Sequence, residues 1–326
     1  MKISDSILIE SFQCARDFPY NRAFRGFLWV FLSLFITAQH PAYAEKKIAA
    51  IRSSNSPIYN QAVDGFKRCL KAKNIAYDYK EIVLTEDSFT PVAALLKSYK
   101  PDVILTLGTF AAQLTKENVK DVPFIFCMVI NPKQNNFRAG GVSLNVAPLD
   151  QLRFVKNNFP QMRKIGLFCN TAKDNETAEE FKSAARKEKM EIVLQEVATT
   201  DQINDALSAL VKEKIDLFLM LPDTDLYAHN VANQFILQTL HSNIPVVSFS
   251  APMSKAGAIA AIYADYDDNG CLAAAMAARV LAGTSPADIE IASPSQTKFT
   301  VNSVVTERLN IKVNDSTLDK AEQVLK

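Results

Sequence analysis

Two periodicities alternate along most of this chain. Short runs of near-continuous apolar character occupy 47–53, 76–84, 102–107, 123–130, 142–146, 164–169, 191–197, 216–221, 245–249 and 258–264. Between several of them lie longer stretches, 58–73, 172–189, 201–214 and 226–242, in which apolar residues recur every three or four positions. The long stretches predict amphipathic helices, and the short runs predict strands buried on both faces. Strands of that kind belong to parallel sheets covered by helices on each side. The fold class is therefore α/β.

The pattern is stated twice. Lys47-Ile48-Ala49-Ala50-Ile51 is echoed by Lys164-Ile165-Gly166-Leu167-Phe168, and Asp102-Val103-Ile104-Leu105 by Asp216-Leu217-Phe218-Leu219. Val122-Pro123-Phe124-Ile125-Phe126 is echoed in turn by Ile244-Pro245-Val246-Val247-Ser248. The offsets of 117, 114 and 122 residues keep order and spacing to within a helical turn. Two similar doubly wound parallel-sheet lobes follow, 45–146 and 147–264, with a boundary near 146–149.

What precedes the first strand reads as a leader. Arg16, Arg22 and Arg25 stand before a 12-residue apolar run, 27–38, and Ala42-Tyr43-Ala44 follows it. A basic region, a short apolar core and an A-x-A site form a Sec-type signal peptide, with cleavage expected after Ala44. The apolar run falls short of the ~20 residues needed to span a bilayer. The expected product is a soluble periplasmic chain, 45–326, with no cysteine at its start to carry a lipid anchor.

Charge and cysteine content narrow the class. Four basic and three acidic residues precede residue 45, leaving 32 of each beyond it. A balanced chain has no clustered Lys and Arg for nucleic acid or an anionic membrane. Cys69, Cys127, Cys169 and Cys271 match no zinc or redox spacing. They are read as buried thiols, with a single bridge as the alternative that export permits. No cofactor motif is present, and the chain is expected to be a monomer.

In open parallel sheets a ligand binds beyond the carboxyl ends of the strands. Those ends are small and polar here: Arg52-Ser53-Ser54, Gly108-Thr109, Asn131-Pro132, Asn170-Thr171, Asp223-Thr224 and Ser248-Phe249-Ser250. Facing lobes would turn all six toward one cleft. Thr109, Thr171 and Thr224 are expected to cap the helices that follow. The helix start at Thr109 suits a carboxylate or phosphate, because free N–H groups and the helix dipole converge there. Asp223 suits an ammonium group or caps a helix. Tyr59, Phe110, Tyr227 and Phe249 could wall an apolar side chain. Ser54, Tyr59, Thr109, Phe110, Asn131, Asn170, Thr171, Asp223, Thr224, Phe249 and Ser250 are the candidate ligand-binding set. Catalytic signatures are missing: there is no G-x-S-x-G, H-E-x-x-H or G-x-G-x-x-G. His229 and His241 share one predicted helix at ~120° to each other, so they cannot face one metal. No metal site is expected, and the chain reads as a binder rather than an enzyme.

At particular residues the chain resembles the ABC-importer substrate-binding protein family that includes the tryptophan-binding type. The resemblance runs from about Lys46 to Lys312. It rests on Gly108-Thr109-Phe110-Ala111-Ala112, Val129-Ile130-Asn131-Pro132 and Gly140-Gly141-Val142-Ser143 in the first half. Cys169-Asn170 with Asn175, Leu221-Pro222-Asp223-Thr224, and Gly257-Ala258 with Asp265-Tyr266 and Gly270 carry it in the second. Phe110 stands where that family usually has Pro, and Asn131 where it often has Asp, so ligand identity does not transfer. The resemblance implies a type I periplasmic-binding-protein fold with three crossovers between lobes. The third is expected after about Ala264, returning 265–303 to the first lobe and leaving 304–326 as a C-terminal crossover or tail. It also implies a small carboxylate-bearing ligand, an amino acid or similar zwitterion, captured by hinge closure and passed to an ABC permease. A sensor presenting its closed form to a membrane receptor kinase or cyclase would use the same cleft.

Overall fold

The computed structural model describes residues 45–84, 89–223, 225–227 and 230–326. The expected leader, 1–44, lies outside the described residues, as do Thr224 and His229.

In β1 (Lys46–Arg52) the last five side chains are all buried, the mark of a strand covered on both faces. Beside it run β2 (Tyr77–Val83) and β3 (Val103–Leu107), followed outward by β4 (Phe124–Val129) and β5 (Gly141–Ser143). Their order is β2-β1-β3-β4-β5, and every pairing is parallel. The second sheet holds β6 (Lys164–Cys169), β7 (Glu191–Glu196), β8 (Leu217–Leu219), β9 (Val246–Ser248), β10 (Ala260–Ala264), β11 (Thr297–Asn302) and β12 (Gln323–Leu325). Its order is β12-β11-β10-β9-β8-β6-β7. The three sequence echoes, β1 with β6, β3 with β8 and β4 with β9, occupy corresponding places in the two sheets.

The helices are α1 (Pro57–Ala72), α2 (Thr90–Tyr99), α3 (Thr109–Asn118), α4 (Pro148–Asn158), α5 (Thr171–Glu188), α6 (Ile203–Lys212), α7 (Val231–His241), α8 (Ala251–Lys255), α9 (Tyr266–Leu281), α10 (Ser303–Arg308) and α11 (Asp315–Lys320). Proline at the first turn of α1, α2 and α4 presets the backbone where no intrahelical N–H bond is needed. Lys100 and Lys189 end α2 and α5 in the left-handed conformation. Helix α7 begins later than its periodicity suggests, because residues 225–227 form a turn held by Asp223. In the second lobe Phe168, Phe218 and Phe235 are buried against one another, with Phe218 centred 4.7 Å from each of the other two rings. Burial of each such ring contributes about 1.5–3 kcal/mol.

The chain crosses between lobes at about 144–147, 265 and 293–296. The return at 265 is thus the second crossing, and α9 packs against α1 on the first lobe. The expectation that the return extends to 303 needs correction. β11 pairs antiparallel with β10, and β12 pairs with β11, so 297–326 belongs to the second lobe. The physical reason is the free edge of β10, whose hydrogen-bonding groups β11 takes up.

Contact between α1 and α9 is close because Gly65 lies against the backbone of Asp267, and Gly270 against that of Ala62. Cys69 of α1 and Cys271 of α9 are joined by a disulfide, with Cα atoms 5.2 Å apart across 202 residues of sequence. The reading of all four cysteines as buried thiols is therefore wrong for this pair. Spacing could not reveal it, since only the return of the chain brings α9 onto α1. Cys127 is a buried thiol and Cys169 is half-buried, both outside this disulfide.

Candidate functional site

The carboxyl ends of β1, β3 and β4 in one lobe, and of β6, β8 and β9 in the other, carry most of the candidate residues. At β3 the chain turns through Gly108 at φ 91°, a conformation that favours glycine. The Tyr59 hydroxyl and the Ser53 hydroxyl press on the spot where a Cβ would stand. Ser53 Oγ accepts from the Ala111 N–H at 2.9 Å, so Ser53 caps α3. Its neighbour Ser54 is exposed. Thr109 does not cap as expected: its Oγ1 accepts from the Ile130 N–H at 3.1 Å and ties α3 to the end of β4. Burial raises the Tyr59 pKa, partly offset by a hydrogen bond with Ser53, so the phenol is neutral.

At the end of β4 the pairing with β5 shifts register between Phe126 and Val129, and Met128 takes φ 58°. Bulges of this kind re-aim the strand end. Asn131, at φ 45°, donates from Nδ2 to the Pro222 carbonyl at 3.0 Å, a direct bond between lobes. Asn145 holds it on both sides, accepting from the Asn131 N–H at 3.0 Å and donating to Asn131 Oδ1. A second link joins Lys133 to Glu176.

In the second lobe Asn170 caps α5, its Oδ1 accepting from the Lys173 N–H at 3.2 Å. Thr171 is the first residue of α5, directly after that cap. Asp223 Oδ1 accepts from the N–H groups of Asp225 at 2.9 Å and Leu226 at 2.8 Å. Its other oxygen has no partner among the described residues. Tyr227 is buried near this carboxylate, and burial first, then Asp223, pushes its pKa up.

Two cavities open between the lobes. One, of about 190 Å³, is walled by Ile58, Ile130, Leu144, Val146, Pro222, Phe249, Ile262 and Tyr266, with Ser250 and Gln151 among its few polar residues. The other, of about 250 Å³, holds Asn131, Lys133, Asn145, Glu176 and Thr177, with Gln151 again. A small recess of about 50 Å³ beside them contains Asn170, Asp223 and Tyr227. Among the candidates, Asn131, Asn170, Asp223, Phe249 and Ser250 thus line these spaces. Ser54, Tyr59, Thr109 and Phe110 line none of the three.

Sequence reasoning did not propose Tyr266 or Gln151. Tyr266 stands two residues beyond the end of β10, a seventh polar strand end, and burial raises its phenol to about 12. Gln151 lies one helical turn before the buried Val155 on α4 and is itself 6% exposed. A polar residue on the apolar face of an amphipathic helix was the available signal.

Two lobes of like topology, three crossovers and a ligand-sized space between facing strand ends define a two-lobed binding protein. The chain belongs to the ABC transporter substrate binding protein family, whose model matches residues 47–325. Membership implies a small-molecule ligand and an importer permease as partner. A protein from Clostridioides difficile (strain R20291) named "Tyrosine-binding protein" is 26% identical over 285 residues, covering 82% of this chain and 81% of that protein. Among solved structures, the ligand-free, open form of a Clostridium difficile substrate binding protein with adhesive properties superposes with a TM-score of 0.66 at 23% identity. It is matched over 86% of this chain and 99% of that one. A Streptococcus pneumonia domain in complex with L-Trp gives 0.61 at 23% identity, over 86% and 100% of the two chains. Both share the fold. No helix among the described residues is long and apolar enough to cross a membrane.

Proposed function

We propose that this protein captures a zwitterionic amino acid with an aromatic side chain between its lobes, in the periplasm, and delivers it to the permease of an ABC importer without transforming it. The observation that carries this reading is the apolar inter-lobe cavity with Phe249 and Tyr266 in its wall, set among polar strand ends. The first turn of α3, at Thr109 and Phe110, favours a carboxylate by dipole and donors alike, although it lies outside the walls of the three cavities. The unengaged oxygen of Asp223 suits the ammonium group through a charge-assisted hydrogen bond. The names of the relatives point the same way, one for tyrosine and one solved with L-Trp. A monomer suffices, because both halves of the cleft come from one chain. The same closed form could serve a membrane sensor, but family membership favours transport.

The test is calorimetric titration of residues 45–326 with L-tyrosine, L-tryptophan and L-phenylalanine, for wild type and Asp223→Asn. Asparagine keeps an oxygen for the capping bonds to Asp225 and Leu226 and removes only the charge. Hydrogen bonds to charged groups contribute about 1.5–3 kcal/mol, so affinity should fall by roughly 10- to 100-fold. Binding within threefold of wild type would leave Asp223 as a turn cap and remove the ammonium contact.

A further inference from the structure

Gln151 lies on α4, 6% exposed, and lines both larger inter-lobe cavities. Only Val146 and Pro222 share that position. Its Nε2 donates to the Val146 carbonyl at 2.8 Å, which fixes the amide to the first crossover. That bond also assigns the two ends of the amide, because only the NH₂ end can donate. The oxygen is left without a partner among the described residues. It is also not one of the sealed unpartnered atoms, which are Arg52 Nε, Tyr99 Oη, Thr106 Oγ1, Thr115 Oγ1 and Asn269 Oδ1. A buried acceptor with open access to a cavity is costly to leave unmatched once the cavity fills with apolar atoms.

We infer that the Gln151 oxygen is a specificity-determining acceptor that reads a hydrogen-bond donor on the ligand's side chain. The walls of the smaller cavity accept an apolar ring, and the acceptor makes a ring with a donor, a phenol O–H or an indole N–H, preferred over plain phenyl. This deepens the proposed function and rests on it. Sites that hydrogen-bond a ligand hydroxyl discriminate strongly against the analogue lacking it, because the acceptor is then buried unpaired. Fixing of the amide by Val146 makes the oxygen available without a further loss of side-chain freedom.

The experiment measures dissociation constants of L-tyrosine, L-tryptophan and L-phenylalanine for wild type and Gln151→Met. Wild type should bind tyrosine or tryptophan at least about tenfold more tightly than phenylalanine. Gln151→Met matches the side chain in length without the acceptor, and should bring that ratio to within about threefold of unity. Loss of affinity for all three ligands in equal proportion, with the ratio unchanged, would show a purely structural glutamine and overturn the inference while sparing the proposed function. Failure of wild type to bind any of the three would overturn both.

Discussion

The Cys127 thiol lies within the buried β4 with no exposure, and burial pushes its pKa up to about 12. The thiolate is the reactive form, so at pH 8 this group should resist alkylation while the protein is folded. Intact mass after iodoacetamide treatment of residues 45–326 should show at most one adduct when folded. Denaturation without reductant should give two, because Cys69 and Cys271 are bridged. Two adducts on the folded protein would contradict the burial of Cys127. Residue identity at the strand ends was legible in sequence, but the division of labour there was not. Ser53, rather than Thr109, caps α3, and Thr109 instead anchors Ile130. Both hydroxyls sit at a strand end beside a helix start, and only their placement in space separates the roles. Asp223 holds the 225–227 turn with one oxygen rather than capping a helix, and its other oxygen has no partner among the described residues.

Among the elements, the pair α1 and α9 shows what periodicity can and cannot reveal. Helix α1 is recognisable from its own periodicity, but its partnership with α9 depends on a glycine in each and on a bridge spanning 202 residues. Closing so long a loop restricts the unfolded chain strongly, and loss of a native disulfide typically costs about 2–5 kcal/mol. Replacement of both cysteines, Cys69→Ala with Cys271→Ala, should lower urea stability by about that amount. Affinity for ligand should stay within about threefold, since neither residue lines the inter-lobe cavities. A stability change below about 1 kcal/mol would mean that the glycine contact alone secures the return segment. Strands β11 and β12 escaped the sequence reading for a different reason. β11, Thr-Lys-Phe-Thr-Val-Asn, mixes polar and apolar residues, as an antiparallel strand does, whereas buried parallel runs were the pattern sought.

At the scale of the molecule, the two-lobe plan was legible because the strands repeat in order and nearly in register. The cleft followed from the rule that ligands sit beyond the carboxyl ends of strands. The lobe boundaries beyond 264 were less legible, because the chain crosses a third time at 293–296 with no apolar signature at the crossing. Direct polar contacts across the cleft include Asn131 to Pro222 and Lys133 to Glu176, both close to cavity walls. The Lys133–Glu176 pair is more than half exposed on both sides, and such ion pairs contribute ~0–1 kcal/mol. A ligand touching both lobes favours their closure about the three crossovers. The central claim is capture by closure. It is tested most directly by small-angle X-ray scattering of residues 45–326, with and without the amino acid that calorimetry shows to bind. At saturation the radius of gyration should fall and the maximum dimension shorten. An unchanged radius with the site demonstrably full would contradict the account.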